Sequence, residues 1–194
     1  MKIGIDIDNV LSMLSNTLLA WHNRVYNTNF KEEDHNTFDL WEIWKCTKEE
    51  ALSRIVNFFD SPEFKSTKPV LGAINAVQNL TEDHELHVIT SRIDKVKDET
   101  TFWLNKHFSN SFHKIHFTGE MLGKNAIKKT KGDICKELGI TLMIEDALHY
   151  AQEIAGKGVK VLLFDWPWNQ TDTLPSNIVR VKSWKEIVEY INNI

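Results

Sequence analysis

The sequence contains few cysteines and no long apolar run. Its two cysteines, Cys46 and Cys135, form no Cys-x-x-Cys pair, so neither a disulfide framework nor a cysteine-based zinc site is expected. No apolar stretch approaches the ~20 residues that a membrane-spanning helix needs. The chain begins with an apolar segment that carries two aspartates, which is unlike a signal peptide. These absences favour a reduced, cytoplasmic protein with no membrane partner.

Positive charge is also scarce. The 194 residues carry a formal net charge of −4, whereas proteins that bind nucleic acid polymers normally present a basic face. A small anionic ligand remains compatible with this charge, because a metal ion or a few local cations can overcome a mildly negative field. The eight histidines show no HExxH spacing, and the sequence has no GxSxG elbow, P-loop or GxGxxG run. Zinc catalysis is therefore disfavoured.

Short apolar segments alternate with segments of helical periodicity along most of the chain. This alternation predicts an α/β fold with a doubly wound parallel sheet. With 42% hydrophobic residues, the chain can bury one substantial core. The predicted strands are residues 2–5, 86–89, 142–144 and 159–164, with 115–117 and 178–181 as weaker candidates, and the helical segments include 71–80, 134–138, 147–155 and 184–194.

One region interrupts this alternation. After the first strand no convincing strand follows until about residue 68, and two helix-like stretches, 12–26 and 48–60, flank a polar piece rich in Trp and Phe. The sequence has no internal repeat and no long Gly/Ser linker, so this region is expected to be an insertion on one domain. We therefore predict an α/β core of residues 1–11 and 69–194, with a helical cap of residues 12–68.

Two acidic residues, Asp6 and Asp8, directly follow the first apolar strand. In open α/β sheets, ligands bind outside the carboxyl ends of the strands, and residues two apart in a strand share one side. Two carboxylates in one site repel each other, which favours a bound cation or a raised pKa on one of them. A hard metal such as Mg²⁺ prefers oxygen ligands. The alternative is an ordinary strand end with solvated acids.

Polar residues also follow two later strands. Glu145 and Asp146 form a second acidic pair after an apolar run, which favours metal binding, although Asp146 could instead cap a helix that starts at Ala147. Thr90 and Ser91 follow another strand. Their hydroxyl groups could bind a phosphate oxygen together with nearby backbone N–H groups, or they could simply cap a turn.

Four lysines, Lys124, Lys128, Lys129 and Lys131, precede the helical segment that leads to the second acidic pair. Most of them are expected on a solvated face. Lys131 lies near the start of that helix, where its ammonium group could reach the acidic site and neutralise charge. We therefore choose Lys131 rather than Lys128 as the lysine of the site, because of its position at the helix start.

The sequence is rich in tryptophan, with seven residues. Phe38, Trp41 and Trp44 lie in the insertion and could stack on a base or a sugar of a ligand. Residues 166–169 follow the last long apolar run, where they could pack against the cap or line the site. Three other tryptophans lie in helix-like stretches and are expected in the core: Trp21, Trp103 and Trp184.

Taken in order, these motifs resemble the four motifs of the haloacid dehalogenase superfamily. They are the DIDNV stretch at Asp6, a strand that ends in Thr90, Lys131 before a helix, and the acidic pair that ends in Asp146. The insertion after the first motif is placed like the superfamily's type 1 helical cap. The DxDxV form, the Thr-Ser pair and the Trp-Pro-Trp-Asn stretch resemble the 5′-nucleotidase group, which includes the deoxyribonucleotidase-like proteins.

The resemblance implies a Mg²⁺-dependent phosphomonoesterase that acts on nucleoside, and in particular deoxyribonucleoside, 5′-monophosphates. Asp6 would attack phosphorus and form an aspartyl-phosphate, while Asp8 would protonate the leaving oxygen and later activate water. Mg²⁺ would be held by the Asp6 carboxylate, the Asp8 backbone carbonyl and Asp146. Thr90, with Ser91, and Lys131 would bind the phosphoryl oxygens.

One position departs from the group, which usually has Asp-Asp where this chain has Glu145 and Asp146. Glu145 is expected beside the metal ligands, where it could orient Lys131 or a metal-bound water. Three alternatives remain: the same chemistry on a sugar phosphate or other small phosphorylated metabolite, a phospho-accepting module that resembles a response-regulator receiver, and a non-catalytic binding protein. The insertion argues against a receiver. A homodimer is compatible with the sequence.

Overall fold

A computed structural model describes residues 1–119 and 129–194 of the chain. All strand pairs in these ranges are parallel. The strands are β1 (Lys2–Ile5), β2 (Glu85–Thr90), β3 (Lys114–Phe117), β4 (Leu142–Glu145), β5 (Lys160–Phe164) and β6 (Ile178–Val181). They form one sheet in the order β3-β2-β1-β4-β5-β6. The predicted α/β fold with a parallel sheet is confirmed, and both weaker strand candidates belong to the sheet.

The strand order reverses beside β1, which lies between β2 and β4. In doubly wound sheets such a switch point opens a crevice at the carboxyl ends of the strands, and ligands bind there. Receiver domains have the order 2-1-3-4-5, so the signalling-module alternative does not match this sheet. The residues that follow β1 and β4 therefore lie where the fold places its ligand.

Helices cover both faces of the sheet, as parallel sheets require. Residues of α5, α6 and α9 pack on one face and residues of α7 and α8 on the other. Gly139 is the C-cap of α7 and has a φ of 69°, a left-handed conformation that favours glycine at helix ends. None of the helices within the described ranges is long and apolar enough to cross a membrane. The helices are α1 (Leu14–Tyr26), α2 (Leu40–Trp44), α3 (Lys48–Phe59), α4 (Pro62–Lys65), α5 (Ala73–Leu80), α6 (Lys97–Phe108), α7 (Lys131–Leu138), α8 (Leu148–Gly156) and α9 (Trp184–Asn192).

Helices α1 to α4 lie between β1 and α5, where the sequence predicts a helical insertion, and we call this segment the insertion. Its buried residues, which include Trp21, Phe58 and Phe64, form one hydrophobic cluster together with Ile93 and Val96 after β2. The chain enters and leaves this insertion through two adjacent segments. The N–H of Met13 donates to the carbonyl of Lys68 at 2.9 Å, and the N–H of Val70 donates to the carbonyl of Leu11 at 2.8 Å. The chain therefore enters and leaves the insertion side by side.

The centre of β1 leaves no room for a side chain at Gly4. A Cβ atom there would lie 2.6 Å from Met143 Sδ and 3.2 Å from Ile89 Cδ1. We expect Gly4→Ala to lower the free energy of unfolding, measured in urea titrations, by about 1–3 kcal/mol, because an added methyl group overpacks the core. Gly156→Ala is the matched control, because a Cβ there meets nothing within 4 Å and alanine favours a helix. Equal stability of the two variants would contradict this expectation.

Candidate active site

The residues after β1 and β4 form a buried acidic cluster. Carboxylate oxygens of Asp6, Glu145 and Asp146 lie within 4.8 Å of one another, and all three residues are at most 4% exposed. The backbone N–H of Asp6 donates to the carbonyl of Ile144 at 3.0 Å. This hydrogen bond continues the pairing of β1 with β4 beyond the strands and holds the two acidic segments side by side.

Lys131 lies inside this cluster. Its Nζ is 2.9 Å from Asp6 Oδ1 and 2.8 Å from Glu145 Oε2, and its side chain is fully buried. Thr130 starts α7 by accepting the N–H of Asp133, which places Lys131 in the first turn of the helix. Of the other lysines considered, Lys129 pairs with an exposed glutamate at 2.6 Å. Lys124 and Lys128 lie outside the described residues.

Burial shapes the protonation of this cluster. It raises the pKa of Asp6 to about 7, against the opposing charge of Lys131 and with the support of Glu145 and Asp8. It also raises the pKa of Asp146 well above its ordinary value, with a further contribution from Glu145. Burial alone would lower the pKa of Lys131, but Asp6 and Glu145 hold it well above its usual range. One ammonium group thus faces three acids, so their remaining negative charge has to be offset by protons or by a bound cation.

The cluster suits a hard cation. Carboxylate oxygens are the donors that Mg²⁺ prefers, and a bound metal would offset the remaining negative charge. Glu145 is already engaged, because Oε2 contacts Lys131 and Oε1 accepts the N–H groups of Asp146 and Ala147, each at 3.2 Å. Asp6 and Asp146 are therefore the two carboxylates best placed to hold a metal ion.

Asp146 is held by side chains from distant parts of the chain. Its Oδ2 accepts hydrogen bonds from Asn9 Nδ2 at 3.0 Å and from Trp168 Nε1 at 3.1 Å. Asn169 Nδ2 donates to its backbone carbonyl at 2.6 Å. The alternative that Asp146 caps a helix is wrong, since Ala147 is the N-cap of α8. Residues 166–169 thus contact the site. The sequence did not predict the role of Asn9, although Asn9 is part of the DIDNV stretch.

The carboxylate of Asp8 lies apart from the acidic cluster, in an ion pair with Arg92. Arg92 Nη2 is 2.6 Å from Asp8 Oδ1, and Ser12 Oγ donates to the same oxygen at 3.2 Å. Sequence reasoning missed Arg92, although it directly follows Thr90 and Ser91. The signal available was a charged residue at a strand end, which by itself is common on a solvated surface.

The two hydroxyl residues after β2 differ in their surroundings. Thr90 is fully buried, and its Oγ1 accepts the backbone N–H of Arg92 at 3.2 Å. This hydroxyl therefore stabilises the turn after β2 while its proton remains available to a second acceptor. Ser91 is half-buried at the same sheet edge.

Aromatic residues of the insertion contact the core beside the site. The ring of His35 stacks on Trp168 at a centroid distance of 4.6 Å, and Phe38 packs edge-on against His149 at 4.7 Å. Phe38 remains 48% exposed, so about half of its side chain is accessible to a ligand.

The other two aromatic residues predicted to stack on a ligand lie inside the insertion. Trp41 is half-buried, with Lys48 Nζ at 4.2 Å from its ring centre. Trp44 is only 6% exposed and stacks on His22 at 4.3 Å. The stacking predicted for Trp44 therefore does not hold, because a neighbouring ring covers its face. Trp21, Trp103 and Trp184 are all buried, as predicted.

Solved structures described as haloacid dehalogenase-like proteins have a similar fold. The haloacid dehalogenase-like hydrolase SP0104 of Streptococcus pneumoniae is similar with a TM-score of 0.70 and 12% identity, over 98% of this chain and 97% of that chain. The YfnB protein of Bacillus subtilis, described as a HAD hydrolase bound to magnesium, is similar with a TM-score of 0.63 and 12% identity, over 98% of each chain. The protein thus has the haloacid dehalogenase-like fold.

The chain belongs to the family described as 5′ nucleotidase, deoxy (pyrimidine), cytosolic type C, whose model matches residues 1–194. The YqfW protein of Bacillus subtilis (strain 168), whose nucleotidase name is provisional, is 31% identical over 197 residues, which cover 100% of this chain and 94% of that protein. The 5′(3′)-deoxyribonucleotidase of the same organism is 26% identical over 189 residues, or 95% of each chain. The protein is therefore an enzyme of the phosphatase and nucleotidase type, as the motif resemblance implied.

We expect the burial of His35 beside Trp168 to make stability depend on pH. Burial lowers the pKa of His35 from 6.5 to about 4, so its contribution to stability is complete above pH 6.5 and is lost as the pH falls towards 4. Between pH 7 and 4.5 this loss amounts to about 2–3 kcal/mol. His35→Phe keeps a stacked ring but has no group that titrates. When the pH is lowered from 7 to 4.5, we expect its free energy of unfolding, measured in urea titrations, to fall by about 2–3 kcal/mol less than that of the unmodified protein.

His113→Phe replaces an exposed histidine and is the matched control for the change to phenylalanine. The free energy of unfolding of the control should change with pH as that of the unmodified protein does. An identical loss of stability in His35→Phe and the unmodified protein would show that His35 does not carry this dependence.

Proposed function

We propose that this enzyme is a Mg²⁺-dependent phosphomonoesterase that hydrolyses nucleoside, and in particular deoxyribonucleoside, 5′-monophosphates through an aspartyl-phosphate. The observation that supports it best is the contact of the buried Asp6 carboxylate with Lys131, 2.9 Å away, beside the carboxylate of Asp146. A nucleophilic carboxylate must approach an anionic phosphate, and this requires positive charge close by. The site supplies one ammonium group and the ligands for a metal ion.

Asp6 is the proposed nucleophile, and Asp8 is the proposed acid and base. Asp6 attacks phosphorus, and Asp8 protonates the leaving oxygen and then accepts a proton from the water that hydrolyses the aspartyl-phosphate. Their separate surroundings support this division, because Asp6 faces Lys131 while Asp8 faces Arg92 and Ser12. Pairs of carboxylates commonly take different roles when their environments differ.

The metal ligands are proposed to be the carboxylates of Asp6 and Asp146 and the backbone carbonyl of Asp8. When bound there, Mg²⁺ supplies positive charge that offsets the charge of the phosphoryl group and the nucleophile. The magnesium named for YfnB is consistent with this choice. Glu145 acts through Lys131, which it holds at 2.8 Å.

Phosphoryl oxygens would be bound by Lys131, Thr90 and Ser91. The Thr90 hydroxyl accepts one N–H and can donate its own proton, as binding of a phosphate oxygen requires. Lys131 supplies a full positive charge in a site from which water is largely excluded, where such a contact is worth a few kcal/mol.

Residues 12–68 are proposed to act as a cap over the site, on a core of residues 1–11 and 69–194. The adjacent entry and exit segments at residues 11–13 and 68–70 support these boundaries. The exposed part of Phe38 would stack on the nucleoside, with Trp41 as a further candidate. The relative named 5′(3′)-deoxyribonucleotidase supports a nucleotide substrate. Both cysteines are free, which is consistent with the cytoplasmic location that we propose.

Replacement of Asp6 tests the chemistry. In the presence of Mg²⁺ and a panel of nucleoside monophosphates, we expect Asp6→Asn to lower phosphate release by at least about 10³-fold, because an amide is not a nucleophile. Chelation of divalent cations should abolish release, and added Mg²⁺ should restore it. Asp83→Asn is the control, since Asp83 is exposed just before β2, at the amino ends of the strands and away from the site. Turnover by Asp6→Asn at the rate of the unmodified enzyme would refute the mechanism.

Replacement of Phe38 tests the substrate. We expect Phe38→Ala to raise KM for a nucleoside monophosphate by about 5- to 20-fold, because removal of an aromatic ring that stacks on a base weakens binding by about this factor. KM for ribose 5-phosphate, which has no base, should not change. Phe102→Ala removes another exposed phenylalanine, far along the chain on α6, and controls for the loss of a surface ring.

Two outcomes of this comparison would contradict the nucleotide proposal. Equal changes in KM for both substrates would show that Phe38 does not contact the base. Efficient hydrolysis of ribose 5-phosphate with no turnover of any nucleotide would assign the sugar phosphate alternative instead.

A further inference from the structure

Arg92 makes a two-point contact with the carboxylate of Asp8. Its Nη2 is 2.6 Å from Oδ1, and its Nε is 3.2 Å from both Oδ1 and Oδ2. The planar guanidinium group presents its N–H donors in a fixed geometry, so such a contact fixes the plane of a carboxylate as well as its position. A lysine could supply the charge but not this orientation.

Arg92 is itself held in place. Its Nη1 donates to Thr100 Oγ1 on α6 at 3.0 Å, and its backbone N–H donates to Thr90 Oγ1 at 3.2 Å. Its guanidinium group also lies over the ring of Phe64, 5.0 Å from the centroid, in α4 of the insertion. The residue is only 2% exposed. The donor groups that hold Asp8 are therefore fixed by the core on one side and by the insertion on the other.

We propose that Arg92 is a positioning residue, which holds the Asp8 carboxyl group in the orientation needed to transfer its proton to the leaving oxygen. This inference rests on the proposed function, in which Asp8 is the acid and base. Proton transfer requires the donor within hydrogen-bond reach of the reacting oxygen. A carboxylate with free rotation about its side-chain bonds would satisfy that geometry for only part of the time.

The contacts favour this role over direct binding of the phosphate. Each of the three guanidinium nitrogens already donates to Asp8 or Thr100, which leaves only the second N–H groups of Nη1 and Nη2 for another acceptor. The cation proposed above to bind the phosphate is Lys131, which contacts the nucleophile Asp6 and not Asp8. Arg92 acts on the reaction through Asp8.

The leaving group of the substrate distinguishes positioning from a general structural role. A nucleoside monophosphate releases a strongly basic alkoxide oxygen, which needs a proton, whereas p-nitrophenyl phosphate releases a weakly basic phenolate, which hardly does. The value of kcat/KM reports the steps up to phosphoryl transfer to Asp6. We expect Arg92→Gln to lower kcat/KM by about 10- to 100-fold for thymidine 5′-monophosphate and by less than about 3-fold for p-nitrophenyl phosphate.

Arg92→Lys keeps the charge in the same place and should show a smaller loss for thymidine 5′-monophosphate with the same dependence on the leaving group. If Arg92→Gln does not fold, as judged by its thermal melt, Arg92→Lys provides the comparison. Arg24→Gln is the matched control, because Arg24 also contacts a carboxylate through Nε and Nη2, at Glu63 on the exposed side of the insertion. It should leave both values of kcat/KM unchanged.

A double variant tests whether Arg92 acts through Asp8. Once Asp8→Asn has removed the acid, the additional change Arg92→Gln should lower kcat/KM for thymidine 5′-monophosphate by no more than about 2-fold, since residues that act as one unit are not additive. Full additivity of the two losses would overturn the inference.

Equal losses for the two substrates, or no loss in a folded Arg92→Gln, would also overturn the inference. These outcomes differ from a failure of the proposed function, in which the unmodified enzyme with Mg²⁺ would not release phosphate from either substrate.

Discussion

The ion contacts of Lys131 join three separate parts of the fold. Lys131 begins α7, Asp6 follows β1 and Glu145 ends β4. A fully buried ammonium group is costly unless it is paired, and here two carboxylates lie within 2.9 Å of it. These contacts are possible only because the sheet places β1 directly beside β4. The strand order and the site therefore depend on each other: the sheet brings the acids together, and the lysine makes their proximity tolerable.

Two acids that are neighbours in the sequence occupy different electrostatic surroundings. Asp6 is buried among like charges, and its pKa is raised to about 7 mainly by burial. The side chain of Asp8 retains 14% of its exposure and meets a guanidinium group. The chain turns directly after Asp8, with Asn9 in the left-handed region at a φ of 59°, which asparagine tolerates better than most residues. The different roles proposed for Asp6 and Asp8 rest on these different surroundings.

The sequence was informative wherever a signal is local. Apolar runs that end in acids predicted the strands and the acidic cluster, and the position of Lys131 at a helix start predicted that it could reach the acids. Contacts between distant residues were not readable in this way. Arg92 lies 84 residues from Asp8, and Asn9 lies 137 residues from Asp146, so no spacing pattern in one sequence pairs them. Trp44 shows a second limit, because its burial depends on how the ring of His22 packs inside the insertion.

The insertion contacts side chains that also hold Asp146, a proposed metal ligand. Asn9 Oδ1 accepts the backbone N–H of Ser15 in the first turn of α1, while Asn9 Nδ2 donates to Asp146. On the other side, Trp168 donates to the same carboxylate and carries the stacked ring of His35. Asp146 is thus oriented by two side chains that each also contact the insertion. Since a carboxylate ligand binds a metal well only when its own hydrogen bonds fix its orientation, the packing of the insertion against the sheet is part of the construction of the site itself.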